Sequence, residues 1–300
     1  MSHQFVGVDV GGTKVFSVLL DGEGREHGSD RRSSGFGSAE VFQAIAGSIE
    51  TVLDHGSSLP LGGIGVGIPG QVDSRTGVVS HAVNLGIDSL DLSAGLSKKF
   101  GVPVSVLNDV NATALGLTSV HPQADSLVYV NFGTGLAAGI VLDGELWPGS
   151  RNLAGELGHL VVDPHGTLCR CGQRGCVETL SSASGISQWL ADQGHALESF
   201  DDVEGLSPEL QSAVVERFMV GFSHALTIVG LTIDPDVVCV GGGTLQVMRR
   251  TGHDPLGAAQ SNGRAPKFLV DSGFFDSVTY VDNNSSYAAR GSLRALTHAS

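Results

Sequence analysis

Residues 6–22, VGVDVGGTKVFSVLLDG, recur without gaps as residues 128–144, VYVNFGTGLAAGIVLDG, with 6 of 17 positions identical. Each copy reads as an alternating apolar strand, a polar glycine-rich turn (Asp9 to Lys14; Asn131 to Gly135), a second apolar strand and a closing Asp-Gly hairpin signal. A chain that builds the same hairpin twice is constrained to two related α/β domains. A fainter correspondence extends the repeat, because GIGVGIPG (63–70) and VVCVGGG (237–243) are both short apolar strands that run into glycine turns, each after a predicted helix.

Before the first of these strands, residues 38–55 align Val41, Phe42, Ile45, Ile49, Val52 and Leu53 along one helical stripe, with Ser38 as the expected N-cap. Before the second, residues 208–232 begin at Pro208 and align Leu210, Val214, Phe218, Phe222 and Leu226. Asp88 to Phe100 reads as a helix feeding the strand VSVLND, and DVNATALGL continues as another helix, whereas residues 246–272 read as helix in part and loop elsewhere. Helices before strands and strands before glycine turns indicate α/β architecture. Three hundred residues suit two domains of about 150 each. The expected division is 1–107, with a C-terminal helix at about 286–300 packed on it, and 108–285.

Glycine is roughly twice as frequent as usual, 43 of 300 residues, and is clustered in the turns. In DVGGTK the backbone N–H groups of Gly11, Gly12 and Thr13 can point at phosphate oxygens, Lys14 adds positive charge, and Asp9 can hold a magnesium ion through water. A short glycine hairpin alone is more often a plain turn. The second copy, Gly133, Thr134 and Gly135, strengthens the reading by supplying another cradle for the same nucleotide. Neither turn fits the P-loop or the dinucleotide-binding pattern.

Residues 156–178, ELGHLVVDPHGTLCRCGQRGCVE, hold three of the four cysteines. His159, Cys169, Cys171 and Cys176 form His-x9-Cys-x-Cys-x4-Cys, a complete Cys3His shell for a structural zinc ion that leaves no position open for a catalytic water. Gly172 and Gly175 allow the backbone to wrap the ion. The competing reading, a disulfide plus a free thiol, suffers from the short Cys169–Cys171 spacing.

Asp109, in LNDVNA, stands where a strand meets a helix. It reads equally as an N-cap and as the base that accepts a proton from a substrate hydroxyl attacking a γ-phosphate. Glu156 and Glu178 bracket the metal ligands. Carboxylates there are by default solvated, but a loop shaped by zinc can offer them to sugar hydroxyls, and His159 can bind the ion through one ring nitrogen and donate from the other.

The formal charge of −14 argues against a nucleic-acid partner. The first residues lack a basic, then apolar, leader pattern, and no run of about 18 apolar residues occurs. The expectation is a cytoplasmic protein with reduced thiols and no membrane partner.

DVGGTK, GIPG, LNDVNA, FGTG, AGELGH, CRCGQRGCVE and VGGG together resemble the ROK family of sugar kinases and sugar-responsive repressors, across essentially the whole chain. The resemblance implies an actin-like, ribonuclease-H-like ATPase fold of two α/β domains with sugar and ATP in the cleft. It also implies that Asp109 is the base that deprotonates a sugar 6-hydroxyl, and that Asn84, Asn108, Glu156, His159 and Glu178 contact the sugar. On the same basis Asp9, Gly11, Gly12, Thr13 and Lys14 match the first phosphate motif, Gly133, Thr134 and Gly135 the second, and Gly241 and Gly242 the adenosine side. The zinc ligands match the family's structural site, and a homodimer or homotetramer is implied.

Three features depart from the family pattern: Leu107 replaces a common Glu, Ala137 replaces a common Gly, and no tidy helix is evident after Gly243. Family repressors carry an added helix-turn-helix domain, for which the residues before Asp9 leave no room. The expected activity is therefore ATP- and Mg2+-dependent phosphorylation of glucose or a related hexose. The alternatives are a kinase for N-acetylmannosamine, N-acetylglucosamine, fructose or an amino sugar such as kanosamine, and then a non-catalytic sugar sensor.

Overall fold

The computed structural model describes residues 3–56, 59–261, 263–282 and 286–297. Up to Gln123 the chain runs β1 (Gln4–Val10), β2 (Lys14–Asp21), β3 (Glu26–Ser33), α1 (Ser38–Asp54), β4 (Leu61–Ile68), β5 (Gln71–Asp73), β6 (Val78–Ala82), β7 (Ile87–Asp91), α2 (Leu92–Phe100), β8 (Val104–Asn108) and α3 (Asp109–Leu117). It continues as β9 (Ser126–Phe132), β10 (Leu136–Leu142), β11 (Glu145–Leu146), α4 (Glu178–Ser181), α5 (Ala183–Ala191), α6 (Pro208–Thr232), β12 (Val237–Gly241), α7 (Gly243–Arg250), α8 (Pro255–Gln260), α9 (Lys267–Asp271), β13 (Val278–Tyr280) and α10 (Tyr287–Thr297).

Two five-stranded sheets have the orders β3-β2-β1-β4-β8 and β11-β10-β9-β12-β13, so each sheet arranges its own strands 3-2-1-4-5. In the first, β1 is antiparallel to β2 and parallel to β4, and β4 is parallel to β8. In the second, β12 is parallel to both β9 and β13. The duplicated hairpin therefore extends to a duplicated sheet, with β4 and β12 in corresponding positions. The second Asp-Gly is a two-residue turn with both residues left-handed (Asp143 φ 53°, Gly144 φ 76°). The first is a longer loop in which the Asp21 carboxylate accepts the N–H groups of Glu23 and Arg25.

Compactness divides the chain into two units. The first comprises Met1–Gln123, Gly139–Leu153 and Ser285–Ser300, and the second Ala124–Ala138 and Ala154–Asn284. The 107/108 division expected from the sequence falls inside the first unit, because α3 packs backbone to backbone on α10. A side chain at Gly116 would overlap the Tyr287 carbonyl, and one at Gly291 the Ala112 carbonyl. Residues 298–300 of the expected terminal helix lie outside the described residues.

Alternation along β1 sorts the layers of the first unit. Val6, Val8 and Val10 join Val41, Ile45, Ile49 and Val52 of α1 in one core. Gly7 points the other way, where its missing side chain lets the α10 backbone approach at Ala289, as Gly65 does at Ser292. In the second unit, Phe132 of β9 packs on Phe218 and Phe222 of α6, with ring centroids 5.7 and 4.9 Å away. Among the described residues α6 is the one helix long and apolar enough to cross a membrane, and most of its apolar stretch is buried inside the protein.

Several local expectations are corrected. Gly37, with φ 88°, precedes α1, and Ser38 donates its hydroxyl to Ser89 instead of capping. Ile87–Asp91 pairs with β6 as a strand, and Asp91 caps α2 by accepting the Ala94 N–H. A regular helix, α7, does follow Gly242, burying Thr244, Leu245, Val247 and Met248.

Candidate functional site

The first unit assembles one set of predicted residues around the β1–β2 turn. The Gly11 N–H donates to the Lys14 carbonyl at 2.7 Å, closing the hairpin. That bond removes Gly11 from the donors expected to face phosphate and leaves the exposed Gly12, Thr13 and Lys14 at the tip. Behind the tip, buried Ser34 donates its N–H to the Thr13 carbonyl (3.1 Å) and its hydroxyl to the Gly12 carbonyl (3.2 Å). Ser34 carries no signal in the sequence beyond a polar, glycine-rich stretch. Asn84, exposed in a 3-10 turn at Val83–Leu85 whose Leu85 is buried, lies beside Gly12, its Cβ 3.5 Å from where a Gly12 side chain would begin.

Asp109 opens α3, but the cap is Asn108, whose Oδ1 accepts the Val110 N–H (3.0 Å) and the Asn111 N–H (3.4 Å). The Asn108 Nδ2 donates to the Gly70 carbonyl at 3.1 Å, tying the GIPG turn to the start of α3. Asn108 is therefore at least a positioning residue. Asp109 is half-buried, and burial, followed by the charge of Asp9, pushes its carboxyl up to about 7, against the pull of the Val110 N–H. Burial likewise pushes Asp9 up to about 6, partly offset by the Arg31 charge. Two interacting carboxyls with raised affinity for protons are suited to proton acceptance near neutral pH. The repeat places Asn131 where the first copy has Asp9, so the second turn lacks this carboxylate.

In the second unit the Gly133 N–H donates to the Gly135 carbonyl at 3.0 Å, closing that hairpin as Gly11 closes the first. The Gly133 carbonyl accepts the Ala183 N–H (3.0 Å) and the Thr244 hydroxyl (2.7 Å), and the Thr134 carbonyl accepts the Ser184 N–H (3.1 Å). The turn is thus held by the starts of α5 and α7, contacts that a linear motif does not disclose. Gly242, with φ 104°, lies against the Phe132 carbonyl, where any side chain would overlap, and Gly241 lies against the Tyr129 ring.

Glu178 Oε2 accepts the Leu136 N–H at 3.0 Å, and a side chain on Gly135 would begin 2.9 Å from the same oxygen. This residue thereby joins the cysteine loop to the second glycine turn. Glu156 Oε2 lies 3.9 Å from His159 Nε2. Its carboxyl is raised by burial, lowered by His159 and raised by Glu178, which puts the three predicted sugar contacts in one electrostatic neighbourhood.

His159 turns its other nitrogen, Nδ1, to Cys169 Sγ at 3.8 Å, while Cys171 Sγ and Cys176 Sγ are 3.6 Å apart. All four donor atoms lie within 4.8 Å of one another. Zinc with bonds of about 2.0–2.3 Å needs tetrahedral edges of roughly 3.3–3.8 Å, which the His159–Cys169 and Cys171–Cys176 pairs match, so the donor set is compatible with the ion. Gly172 (φ 93°) and Gly175 (φ 70°) make the wrap, and a side chain at Gly175 would overlap the Asp163 carbonyl.

The sequence pattern of the ROK family matches residues 5–252. A glucokinase of Halalkalibacterium halodurans is 32% identical over 80% of this chain and 80% of its own. An N-acetylmannosamine kinase of Haemophilus influenzae is 29% identical over 78% and 79%. The crystal structure of a ROK glucokinase from Streptomyces griseus, in complex with glucose and AMPPNP, superposes with a TM-score of 0.72 at 22% identity, covering 96% of this chain and 97% of that one. These likenesses, with the paired 3-2-1-4-5 sheets, give the chain the actin-like, ribonuclease-H-like ATPase fold.

Proposed function

The chain belongs to the ROK family, and from that premise we propose that it is a sugar kinase that transfers the γ-phosphoryl group of ATP to the 6-hydroxyl of glucose or a closely related hexose. The observation that carries the reading is Asp109, held at the β8–α3 junction by the Asn108 cap, with its carboxyl pushed up to about 7 beside Asp9. In the proposed step the sugar 6-oxygen attacks the γ-phosphorus, its proton passes to the Asp109 carboxylate, and the bond to the departing ADP oxygen breaks. Within the first unit the Gly12–Lys14 turn would receive phosphate, and within the second the turn at Thr134 and Gly135 would do so, with Gly241 and Gly242 leaving the backbone there open to adenosine.

Asp9 is the residue that would hold magnesium, which when bound offsets phosphate charge. Zinc, held by His159, Cys169, Cys171 and Cys176, would fix the loop that carries Glu156, and His159 Nε2 would remain directed toward Glu156 and the sugar. Glucose is favoured as acceptor by the 32% identical glucokinase. The 29% identical N-acetylmannosamine kinase supports the second reading, the same reaction on a sugar that differs at C2.

The test is ADP release from ATP with glucose, mannose, fructose, N-acetylglucosamine, N-acetylmannosamine and kanosamine. Turnover with glucose well above the others supports the reading. Preference for N-acetylmannosamine shifts it to the second, and sugar binding without ADP release from any of them removes the kinase assignment.

A further inference from the structure

Phe36 is 67% exposed, yet the backbone on both sides of it is pinned. Gly35 and Gly37 flank it in left-handed conformations, φ 71° and 88°. The Phe36 N–H donates to Glu40 Oε2 at 3.0 Å, the Gly37 N–H donates to the Leu85 carbonyl at 2.7 Å, and the preceding Ser34 is tied to the first glycine turn. The ring lies over Gly86, where a side chain would begin 2.6 Å from two ring carbons and where φ is 65°. Neighbouring Val83 is 78% exposed, and the next residue is Asn84, beside Gly12. An exposed aromatic ring on a pinned backbone, an exposed aliphatic side chain and an exposed amide thus share the rim of the first glycine turn.

The two faces of a pyranose present C–H groups, while its hydroxyls ring the edge. The electron-rich face of an aromatic ring attracts such C–H groups, and a site for an amphipathic ligand sets an apolar platform beside a few polar groups. We propose that Phe36, together with Val83, is a specificity-determining contact for the acceptor sugar, its ring taking the C–H face of the pyranose while Asn84 takes a hydroxyl. The proposal rests on the reading of a sugar as this site's ligand. Phe36 is exposed and belongs to neither core, so its replacement leaves the fold intact.

The test compares wild type, Phe36→Ala and Phe36→Tyr by steady-state kinetics with glucose and ATP, and by calorimetric titration of glucose without nucleotide. Phe36→Ala should raise both the glucose KM and the glucose Kd about 10-fold, leave the ATP KM and kcat within about twofold, and be largely rescued in Phe36→Tyr. Unchanged glucose KM and Kd in Phe36→Ala would overturn the proposal, as would an equal rise in both substrate KM values, which indicates a structural role alone. A wild-type protein that binds glucose without phosphorylating it would defeat the kinase reading while the Kd comparison still decides the role of Phe36. A wild type that binds no hexose of the panel would defeat both.

Discussion

Glu178 Oε2 accepts the backbone N–H of Leu136 at 3.0 Å, so a carboxylate expected to serve the sugar also anchors the turn expected to serve phosphate. Glutamine keeps an accepting oxygen in that position and alanine does not. Glu178→Ala should therefore raise the KM for both sugar and ATP, each roughly 10-fold or more from the lost charge-assisted hydrogen bond. Glu178→Gln should raise mainly that for sugar. Two-substrate kinetics on the pair check this, and an unaffected ATP KM in Glu178→Ala would deny the anchoring role.

The carboxyl of Asp109 is raised to about 7, and a base must be ionised to accept a proton. The acid limb of kcat/KM should therefore fall about tenfold per pH unit below about pH 7. The charge of Asp9 contributes to that rise, so Asp9→Asn should move the limb of its residual activity to lower pH. A limb that stays in place in Asp9→Asn would show that the two carboxyls do not interact.

The same shift has a consequence for stability. A carboxyl whose folded pKa lies above its unfolded value of 3.8 imposes no penalty below that value. The penalty grows as pH rises from about 4 to 7 and is complete above 7. Asp109→Asn should therefore melt higher than wild type at pH 8, by roughly 3–6 °C, with the gap narrowing toward pH 5. Calorimetry at the two pH values is the check; a variant that melts lower at pH 8 would mean that the carboxylate stabilises the fold.

His159 turns Nδ1 to the thiol cluster and Nε2 toward Glu156, so one ring joins the proposed zinc ligands to a proposed sugar contact. Elemental analysis should find about one zinc per chain. Chelation, or Cys169→Ser, should weaken glucose binding more than nucleotide binding. Unchanged glucose affinity after verified metal loss would make the loop a structural staple only.

The elements legible in the sequence were those whose cause is local or periodic. The repeated hairpin, the α1 and α6 stripes and the Cys3His spacing each depend on side-chain order along a single segment, and each is present in the structure. What escaped depends on pairing between segments distant along the chain. Asp88, Ser89 and Asp91 carry polar side chains compatible with a helix start, but β7 is decided by its antiparallel pairing with β6. Asn108 outcompetes Asp109 as the cap because its amide also reaches Gly70, a contact invisible in LNDVNA. Ser34 and Thr244 hold the two glycine turns from 22 and 111 residues away, and no motif spacing reports that.

The role of Asp109 as base is decided by rapid-quench measurement of phosphoryl transfer to glucose by Asp109→Ala, with glucose affinity measured on the same preparation. Transfer should be slower by about 10²- to 10⁴-fold with glucose Kd within a few-fold of wild type. Transfer retained at a large fraction of the wild-type rate would contradict it.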